Sequence, residues 1–478
     1  MSSQALWSLE ELLAATGGQL EGEVSQQLSG VEIDSRAVSS GDIFIAIKGD
    51  HQDGHVYVTK ALKAGASLAI VAKPDDEMRI AGPLLVVDDT LKAMERIGMA
   101  ARARCGAKII AVTGSVGKTT TKDALALALG ACGKTHASVA SYNNQWGVPL
   151  TLARLPRDSQ YAIFEIGMNH AGEISTLVKM VRPHIAIITA IAESHLGQFA
   201  SLGDIAKAKA EIFDGLEQDA SAIINQDSAF FAMLKDKAQK AGVKNIVGFG
   251  KDKSADVHLM RMALHNTCSC VSASVLGQDV TFKLGSPGEH VVINTLAVLA
   301  AIKLVDGDLA LAVLALARLS PPKGRGVRLQ LLARGGEFLV IDESYNANPT
   351  SMRAALTLLG RAEPKRGGRR IAVLGDMLEL GDGARALHLG LVEPIDEAGV
   401  DSVYACGKMM ESLWQHLPPF RRGVWKPLSS DLEPHLLNEI RAGDVIMIKG
   451  SLGSKMGPLV EAMKKRFARL EAQQGREA

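Results

Sequence analysis

The stretch KIIAVTGSVGKTTT, residues 108–121, decides the fold class of this chain. An apolar run, Lys108–Thr113, leads directly into a glycine turn, and the turn leads into a helix-forming segment that ends near Leu129. Glycines let backbone N–H groups turn toward a bound anion, and the start of a helix adds positive potential. The side chain of Lys118 can reach the β- and γ-phosphates of a nucleotide. The stretch therefore predicts an α/β fold in which a phosphate loop follows one strand of the sheet.

This loop is shorter than the common GxxxxGK[ST] pattern, because Val112 stands five residues before Gly117. Thr119 stands where the loop hydroxyl normally binds Mg²⁺. The alternative is a tight turn that only caps a helix, but strand, loop, lysine, hydroxyl and helix together favour ATP or GTP. The residues predicted to bind the nucleotide are Thr113, Gly114, Ser115, Val116, Gly117, Lys118, Thr119 and Thr120.

Length, composition and charge exclude several classes of protein. The 478 residues, 47% of them hydrophobic, are enough for roughly three domains with their own cores. Lys+Arg 53 against Asp+Glu 52 leave a net charge of +1, without the basic surplus that a nucleic-acid or anionic-membrane surface favours. Gly 47 and an aromatic content of 4% favour an α/β protein over a repetitive β architecture. Five cysteines without a CxxC pair argue against a disulfide framework or a zinc site.

The hydropathy pattern predicts a cytoplasmic protein. The longest apolar stretches, Val291–Val305 and Leu309–Leu319, are too short or too interrupted to span a bilayer. The first twelve residues carry Glu10 and Glu11 and lack a basic region followed by an apolar run. We therefore expect no membrane partner and no nucleic-acid partner.

The order of strand-like and helix-like segments predicts three α/β domains. Residues 1–107 form a small unit, residues 108–320 repeat strand, loop and helix, and residues 321–478 resume this alternation. The Pro/Gly-rich segment Ser320–Gly326 is a domain junction and a reasonable hinge. Such alternation indicates mostly parallel sheets with right-handed crossovers. We expect a small N-terminal domain, a central phosphate-loop domain and a C-terminal Rossmann-like domain.

Two polar residues follow strands that should neighbour the phosphate loop. Glu165 ends the strand-like run Tyr161–Ile166, where a phosphate loop needs a carboxylate that organises a metal ion. His195 follows the next run, Ile185–Ala190, at the edge of the sheet where ligands collect. The alternatives are a surface glutamate and a structural histidine.

A lysine on an apolar helix face is a third candidate. Lys209 shares one face with three apolar residues, whereas Lys207 points outward and can pair with Glu211. The alternative is a lysine that extends its amine to solvent at the edge of the core. If it is buried, its pKa is lowered and it becomes reactive toward carbon dioxide or a substrate. The apolar residues on that face are Ile205, Ile212 and Phe213.

These motifs resemble the Mur ligase family, the ATP-dependent enzymes that form the amide bonds of peptidoglycan precursors. The resemblance covers nearly the whole chain. It includes the short TGxxGKTT loop, FEIGMNH (164–170), KAKAEIF (207–213), GEHVVINTLA (288–297), KGRG (323–326), IDESYNANP (341–349), LGDMLELG (374–381) and KGSLGSKM (449–456).

Within the family, further segments are similar to the ligase that adds D-alanyl-D-alanine to UDP-N-acetylmuramoyl-tripeptide. These are Asp34-Ser35-Arg36, Asp53-Gly54-His55, NNQWGVPLTL (143–152), NHAGEI (169–174) and DESYNANPTSM (342–352). The D-N-P-R motif of the ligase that adds diaminopimelate does not occur in this sequence. The resemblance implies reaction through an acyl phosphate. Alternatives are another Mur ligase step, a folylpolyglutamate synthetase-like ligase, a P-loop regulatory ATPase and a P-loop kinase.

The resemblance also implies roles for individual residues. Lys209 matches the family lysine that becomes carbamylated and helps to hold a second Mg²⁺, while Glu165 and His195 match metal ligands. These three residues and Lys118 are the implied catalytic set. Around the adenine, phosphates and ribose of ATP, the matching residues are Asn294, Arg325 and Asp342.

The implied small-molecule substrates are the UDP-sugar tripeptide and D-alanyl-D-alanine. The last residue of the tripeptide can be lysine or diaminopimelate. ATP and two Mg²⁺ ions are the implied cofactors, and we expect a monomer. The first domain would hold the UDP sugar through Ser35, Arg36, Asp53 and His55. Other implied substrate contacts are Asn143, Asn144, Asn169, Tyr345, Asn346, Asn348, Lys449, Ser451 and Lys455.

Overall fold

A computed structural model describes residues 5–49, 52–139, 141–193, 197–265 and 267–474, with side chains up to Phe467. It contains three separate sheets of five, nine and six strands, and helices cover them. The predicted fold class, three α/β units with mostly parallel sheets, is confirmed. Within the described ranges, no helix is both long enough and apolar enough to cross a bilayer.

The N-terminal sheet has five strands: β1 Gln19–Glu21, β2 Gly30–Glu32, β3 Asp42–Ile45, β4 Leu68–Val71 and β5 Leu84–Val86. Its helices are α1 Leu9–Thr16, α2 Val58–Lys63, α3 Asp76–Ala81 and α4 Thr90–Arg104. The strand order is β1-β5-β4-β3-β2, and β1 alone runs antiparallel to its neighbour. Ser8 begins α1 with a capping box that includes Glu11, and Gly17 ends it in a left-handed conformation.

The central sheet has nine strands: β6 Lys108–Thr113, β7 Thr135–Ala137, β8 Tyr161–Glu165, β9 Ile185–Ile188, β10 Ser221–Asn225, β11 Asn245–Gly250, β12 Val257–Leu264, β13 Ser269–Val275 and β14 Gln278–Leu284. Its helices are α5 Lys118–Gly130, α6 Gly147–Ala153, α7 Glu173–Val181, α8 Leu202–Ala210, α9 Phe231–Lys240, α10 Glu289–Leu304 and α11 Leu309–Leu316. The order is β14-β13-β12-β11-β10-β9-β6-β8-β7. Strands β6 to β12 are parallel, and the hairpins β12-β13-β14 extend one edge. The phosphate loop follows β6, which lies between β9 and β8, the strand that ends at Glu165.

The C-terminal sheet has six strands: β15 Val327–Ala333, β16 Gly336–Glu343, β17 Arg370–Gly375, β18 Ser402–Cys406, β19 Arg422–Lys426 and β20 Val445–Lys449. Its helices are α12 Pro349–Arg361, α13 Ala384–Leu389, α14 Val392–Glu397, α15 Lys408–His416, α16 Ser429–Glu439 and α17 Gly457–Gln474. The order is β15-β16-β20-β17-β18-β19, and β15 is antiparallel to β16. Helices α12 to α15 pack on one face of the sheet, whereas α16 and α17 pack on the other.

The N-terminal and central parts share one hydrophobic core. Apolar residues of the first sheet and of α4 belong to the same buried cluster as those of α6, α7 and β8. Polar contacts cross the same boundary. The indole Nε1 of Trp7 donates to the carbonyl of Ala153 at 2.8 Å, and Arg154 Nε donates to the carbonyl of Val31 at 2.7 Å. Arg154 also pairs with Glu32. These two parts are therefore held against each other by burial as well as by the chain connection.

We expect Arg154→Ala to lower the free energy of unfolding by about 2 kcal/mol, because the largely buried Glu32 and the Val31 carbonyl lose their partner. Urea denaturation measures this change. Arg36→Ala is the matched control, since the Arg36–Asp34 ion pair is exposed and solvent screens it. A midpoint that stays at the wild-type value in Arg154→Ala would contradict the interpretation of this boundary as a stabilising contact.

Candidate active site

At two glycines of the phosphate loop, a side chain from another part of the chain lies close to the backbone. Gly114 has φ +149°, and a Cβ there would lie 1.9 Å from Thr189 Oγ1. Gly117 has φ +87°, and a Cβ there would lie 2.1 Å from the Asn294 amide nitrogen. Both positions therefore require glycine, for conformation and for space. The contact with Gly117 brings Asn294, from α10, directly onto the loop.

One backbone N–H group of the loop is used in a hydrogen bond within the protein. The N–H of Ser115 donates to the carbonyl of Ala190 at 2.7 Å, which ties the loop to the end of β9. The hydroxyl of Ser115 is buried and has no hydrogen-bond partner among the described residues. Lys118 Nζ donates to the carbonyl of Gly114 at 2.7 Å, so its amine closes over the loop. Burial lowers the pKa of Lys118, and the neighbouring Arg325 adds to that effect, whereas Glu165 opposes it.

The acidic side of the site is a hydrogen-bonded cluster around Glu165. Thr119 Oγ1 donates to Glu165 Oε2 at 2.8 Å, and the Asn143 amide donates to Glu165 Oε1 at 2.7 Å. Ser141 Oγ lies 3.1 Å from Thr119 Oγ1. Glu165 is 1% exposed and Thr119 is 4% exposed. The loop hydroxyl and the carboxylate at the end of β8 are thus adjacent, as the sequence predicts.

This cluster fits a magnesium ion. A buried carboxylate is costly unless a cation or several donors compensate it. The described hydrogen-bond partners of the Glu165 carboxylate are a hydroxyl and an amide, both uncharged. Hydroxyl and carboxylate oxygens are the ligands that Mg²⁺ prefers. Thr119 and Glu165 could therefore hold the metal ion. His195, the other metal ligand that the family resemblance implies, lies outside the described residues.

We expect Glu165→Gln, which keeps the shape of the side chain but removes its charge, to reduce Mg²⁺-dependent phosphate release by about 100-fold. Steady-state kinetics over a range of Mg²⁺ concentrations measures this. Asp158→Asn is the control, because Asp158 is exposed and its partner is Lys134. Wild-type kinetics in Glu165→Gln would exclude a metal role for this carboxylate.

Lys209 is buried deep in the central domain. It is 1% exposed, and among the described residues Lys118 is the charged group that acts on its amine. Burial lowers the pKa of Lys209 well below its ordinary value, and the positive charge of Lys118 lowers it further. A neutral amine is the form that reacts with carbon dioxide, and the resulting carbamate would place a negative group near Lys118. The surroundings of Lys209 therefore fit a carbamate.

The prediction that Lys207 pairs with Glu211 is wrong. Lys207 Nζ contacts Asp204 at 3.0 Å, one turn toward the start of α8. The carboxylate of Glu211 instead accepts the N–H groups of Gly172 and Ser175 at the beginning of α7. A helix start leaves unpaired N–H groups that attract a carboxylate, so the tertiary contact outweighs the local ion pair.

We expect Lys209→Met to raise the free energy of unfolding, because an apolar side chain replaces a buried amine, and to abolish activity. Thermal denaturation and phosphate release measure the two effects. Lys209→Ala leaves space beside the site, so formate or acetate should restore part of its activity. Full activity of Lys209→Ala without any added acid would exclude the carbamate.

The opposite wall of the site comes from the C-terminal domain. A cleft runs between the phosphate loop and the segments that contain Gly324–Gly326 and Asn346–Ser351, and Lys449 also lines it. Arg325 Nη2 reaches Ser141 Oγ at 3.4 Å, and its guanidinium stacks on Tyr345, 4.4 Å from the ring centroid. The cleft beside the phosphate loop is therefore built by two domains.

Family models match all three parts of the chain. The Mur ligase family catalytic domain matches residues 27–103, the Mur ligase middle domain matches residues 112–302, and the Mur ligase glutamate ligase domain matches residues 327–452. The UDP-N-acetylmuramoyl-tripeptide–D-alanyl-D-alanine ligase of Escherichia coli strain K12 is 34% identical over 85% of this chain and 87% of its own length. The chain belongs to the Mur ligase family. This Mur ligase is therefore an enzyme, and it uses ATP.

Two further comparisons support membership of the Mur ligase family. The protein of the same name from Rickettsia prowazekii is 32% identical over 95% of this Mur ligase and 99% of its own length. The crystal structure I of MurF from Acinetobacter baumannii superposes with a TM-score of 0.82 at 31% identity, and it covers 96% of this chain and 99% of that one.

Several residues that the resemblance implied as ligand contacts of this Mur ligase make hydrogen bonds or ion pairs within the protein. Asp342 Oδ1 accepts hydrogen bonds from the N–H and the hydroxyl of Ser344. Asn348 begins α12 as its cap, yet it lines the cleft together with Asn346. Ser451 donates to the Ala347 carbonyl. Lys449 Nζ contacts Glu343 at 3.3 Å and the Asn346 carbonyl at 3.0 Å.

The predicted UDP-sugar contacts lie in turns of the N-terminal domain, outside its strands, and do not line the cleft beside the phosphate loop. Ser35 is buried, whereas Arg36 is exposed and pairs with Asp34, which lowers the pKa of that carboxyl to about 2. His55 Nδ1 lies 2.6 Å from Asp53 Oδ1, and its Nε2 accepts the N–H of Ala72 at 2.9 Å. These residues are therefore anchored in tight turns.

Two other predicted substrate contacts, Asn144 and Asn169, are exposed in loops that follow β7 and β8. Asn144 Oδ1 accepts the N–H of Gly147 at the start of α6, and the N–H of Asn169 donates to Glu173. The amide of Asn169 is left to face solvent. The sequence analysis missed Ser141, although it lies two residues before Asn143 in the same loop.

A second crevice opens in the C-terminal domain of this Mur ligase. It lies at the carboxyl ends of β17 to β20, where the following helices leave to opposite faces of the sheet. In open α/β sheets, ligands bind at such points. Its lining includes Asp376, Leu378, Lys408, Ser429 and Lys455.

Proposed function

We propose that this Mur ligase joins D-alanyl-D-alanine to UDP-N-acetylmuramoyl-tripeptide while ATP becomes ADP and phosphate. The observation that carries the proposal is the two-domain cleft, in which Arg325 reaches across to the loop beside Thr119 and Glu165. A regulatory ATPase has no need of a second crevice, whereas a ligase must bring an amine to an activated acid. The name shared by two relatives that align along at least 85% of this chain supports the same reaction.

The chemistry needs two steps, because a carboxylate alone would have to expel oxide. The terminal carboxylate of the tripeptide attacks the γ-phosphorus of ATP, the bond from that phosphorus to the β–γ bridging oxygen breaks, and ADP leaves. The amine of D-alanyl-D-alanine then attacks the acyl carbon and loses a proton. The tetrahedral intermediate expels phosphate and becomes the amide.

The residues of the loop would serve the first step. Lys118 would release the Gly114 carbonyl and turn its charge toward the transferring phosphoryl group, and Arg325 would add charge from the opposite wall. The other residues proposed to contact ATP are the rest of the loop and Asn294. Mg²⁺, held by Thr119 and Glu165 together with His195 and a Lys209 carbamate, would neutralise phosphate charge.

We propose that the crevice at the ends of β17 to β20 receives D-alanyl-D-alanine. Lys408 and Lys455 are exposed at its rim and could pair with the carboxylate of the dipeptide, and Leu378 offers an apolar contact for a methyl group. Closure of the C-terminal domain would exclude water from the acyl phosphate.

The three domains would divide the work. Residues 1–107 would hold the UDP sugar, residues 108–320 would bind ATP, and residues 321–478 would bring the dipeptide. Because both ATP and the UDP-sugar peptide are cytoplasmic metabolites, we place the reaction in the cytoplasm, and we propose that a monomer suffices since all parts of the cleft come from one chain.

The test is phosphate release with ATP, Mg²⁺ and UDP-N-acetylmuramoyl-tripeptide, with and without D-alanyl-D-alanine. We expect release to depend on the dipeptide and the pentapeptide to appear by mass spectrometry. Release with single amino acids in place of the dipeptide would indicate another step of the same family. Release that needs neither amine nor UDP-sugar peptide would indicate a regulatory ATPase, and ADP without free phosphate would indicate a kinase.

A further inference from the structure

Ser141 connects the C-terminal domain to the acidic side of the phosphate loop. It lies between β7 and α6, in the loop that also contains Asn143. Its hydroxyl is 3.1 Å from Thr119 Oγ1 and 3.4 Å from Arg325 Nη2. Arg325 comes from a segment 184 residues away in sequence, so this contact is purely tertiary.

The direction of each hydrogen bond in this cluster follows from the chemistry of the groups. A carboxylate oxygen accepts, so the hydroxyl of Thr119 donates its single hydrogen to Glu165. Thr119 Oγ1 must then accept from Ser141, whose own single hydrogen is used in that bond. A guanidinium only donates, so Ser141 Oγ accepts from Arg325. The four groups form one directed chain from Arg325 to Glu165.

Each end of the chain has a further support. The guanidinium of Arg325 stacks on the ring of Tyr345, which fixes its approach. The other oxygen of Glu165 accepts from the Asn143 amide. Ser141 is the member of the chain that no motif of the sequence indicated. It stands where the two domains meet.

We propose that Ser141 is a positioning residue for the ligase reaction. Its hydroxyl orients the oxygen of Thr119 and accepts a hydrogen bond from the guanidinium of Arg325. The position of the C-terminal domain and the orientation of the oxygens that would bind the metal ion therefore depend on each other. The proposal rests on the proposed use of ATP with Mg²⁺. It does not depend on which amine the enzyme joins.

A double-mutant cycle tests the proposal on the full chain. Isothermal titration calorimetry measures the dissociation constant of a non-hydrolysable ATP analogue in Mg²⁺, without D-alanyl-D-alanine, for wild type, Ser141→Ala, Arg325→Ala and the double variant. We expect each single change to weaken binding by about 5- to 10-fold, and the double change to weaken it by at least threefold less than the product of the two. We also expect the effect of Ser141→Ala to shrink when Mg²⁺ is omitted.

Two variants serve as controls. Thr121→Ala removes a buried hydroxyl from the same helix as Thr119, and that hydroxyl has no hydrogen-bond partner among the described residues, so binding should stay within twofold of wild type. Ser141→Thr keeps the hydroxyl and should restore most of the affinity. Additive effects of Ser141→Ala and Arg325→Ala, or unchanged binding in Ser141→Ala, would overturn the proposal.

If Ser141→Ala does not fold, Ser141→Cys replaces it in the cycle, because a thiol has nearly the same size and donates only weakly. The same two outcomes, coupling or additivity with Arg325→Ala, then decide. Since no amine is present in the titration, a failure of the dipeptide-dependent assay leaves this result unaffected. Loss of the ligase activity and loss of the coupling are therefore separate findings.

Discussion

The burial of charge at one edge of the central sheet is the constraint on which the site depends. Glu165 and Lys209 are each 1% exposed, and Lys118 closes over the neighbouring loop. Burial lowers the pKa of both lysines, and the carboxylate has uncharged hydrogen-bond partners. An arrangement of this kind costs stability in the unliganded protein, because taking ionisable groups out of water is unfavourable unless ion pairs and hydrogen bonds compensate it fully. In the proposed reaction, ATP phosphates and Mg²⁺ would supply opposite charges, and the binding free energy of these ligands would offset the cost. This exchange of stability for function is common in active sites.

The three sheets of the molecule differ in how they are joined to one another. The N-terminal and central sheets share a continuous apolar core and are fastened by Trp7 and Arg154. The C-terminal sheet has cores of its own on both faces. It meets the central domain through local polar contacts, such as the bond from the N–H of Gly197 to the carbonyl of Glu379 at 2.9 Å and the approach of Arg325 to Ser141. Polar contacts of this kind are more easily exchanged than a shared core, which is consistent with the proposed closure of this domain over the substrates.

Local pattern predicts some parts of this molecule better than others. The phosphate loop and Glu165 were predicted because a strand, a glycine turn and the start of a helix each have a characteristic sequence pattern within a few residues. Strands β1, β2, β7, β15 and β19 were not predicted, and the first three have only three residues each, too few to show a periodicity. The expected pair between Lys207 and Glu211 failed, since Glu211 satisfies the start of α7, an element that lies nearly forty residues earlier. Such partners are set by the packing of the sheet and its helices.

The sequence by itself determined the α/β class, the phosphate loop with its lysine and hydroxyl, and the lysine on an apolar helix face. These features depend on glycine conformations, side-chain periodicity and residue types within about fifteen positions, and a linear pattern contains that information. The tertiary structure decided that Thr119 donates to Glu165, that Lys209 is buried near Lys118, and that Arg325 meets Ser141 across a domain boundary. These pairs are 46, 91 and 184 positions apart in sequence, and only the order of the strands and the docking of the third domain bring their members near one another.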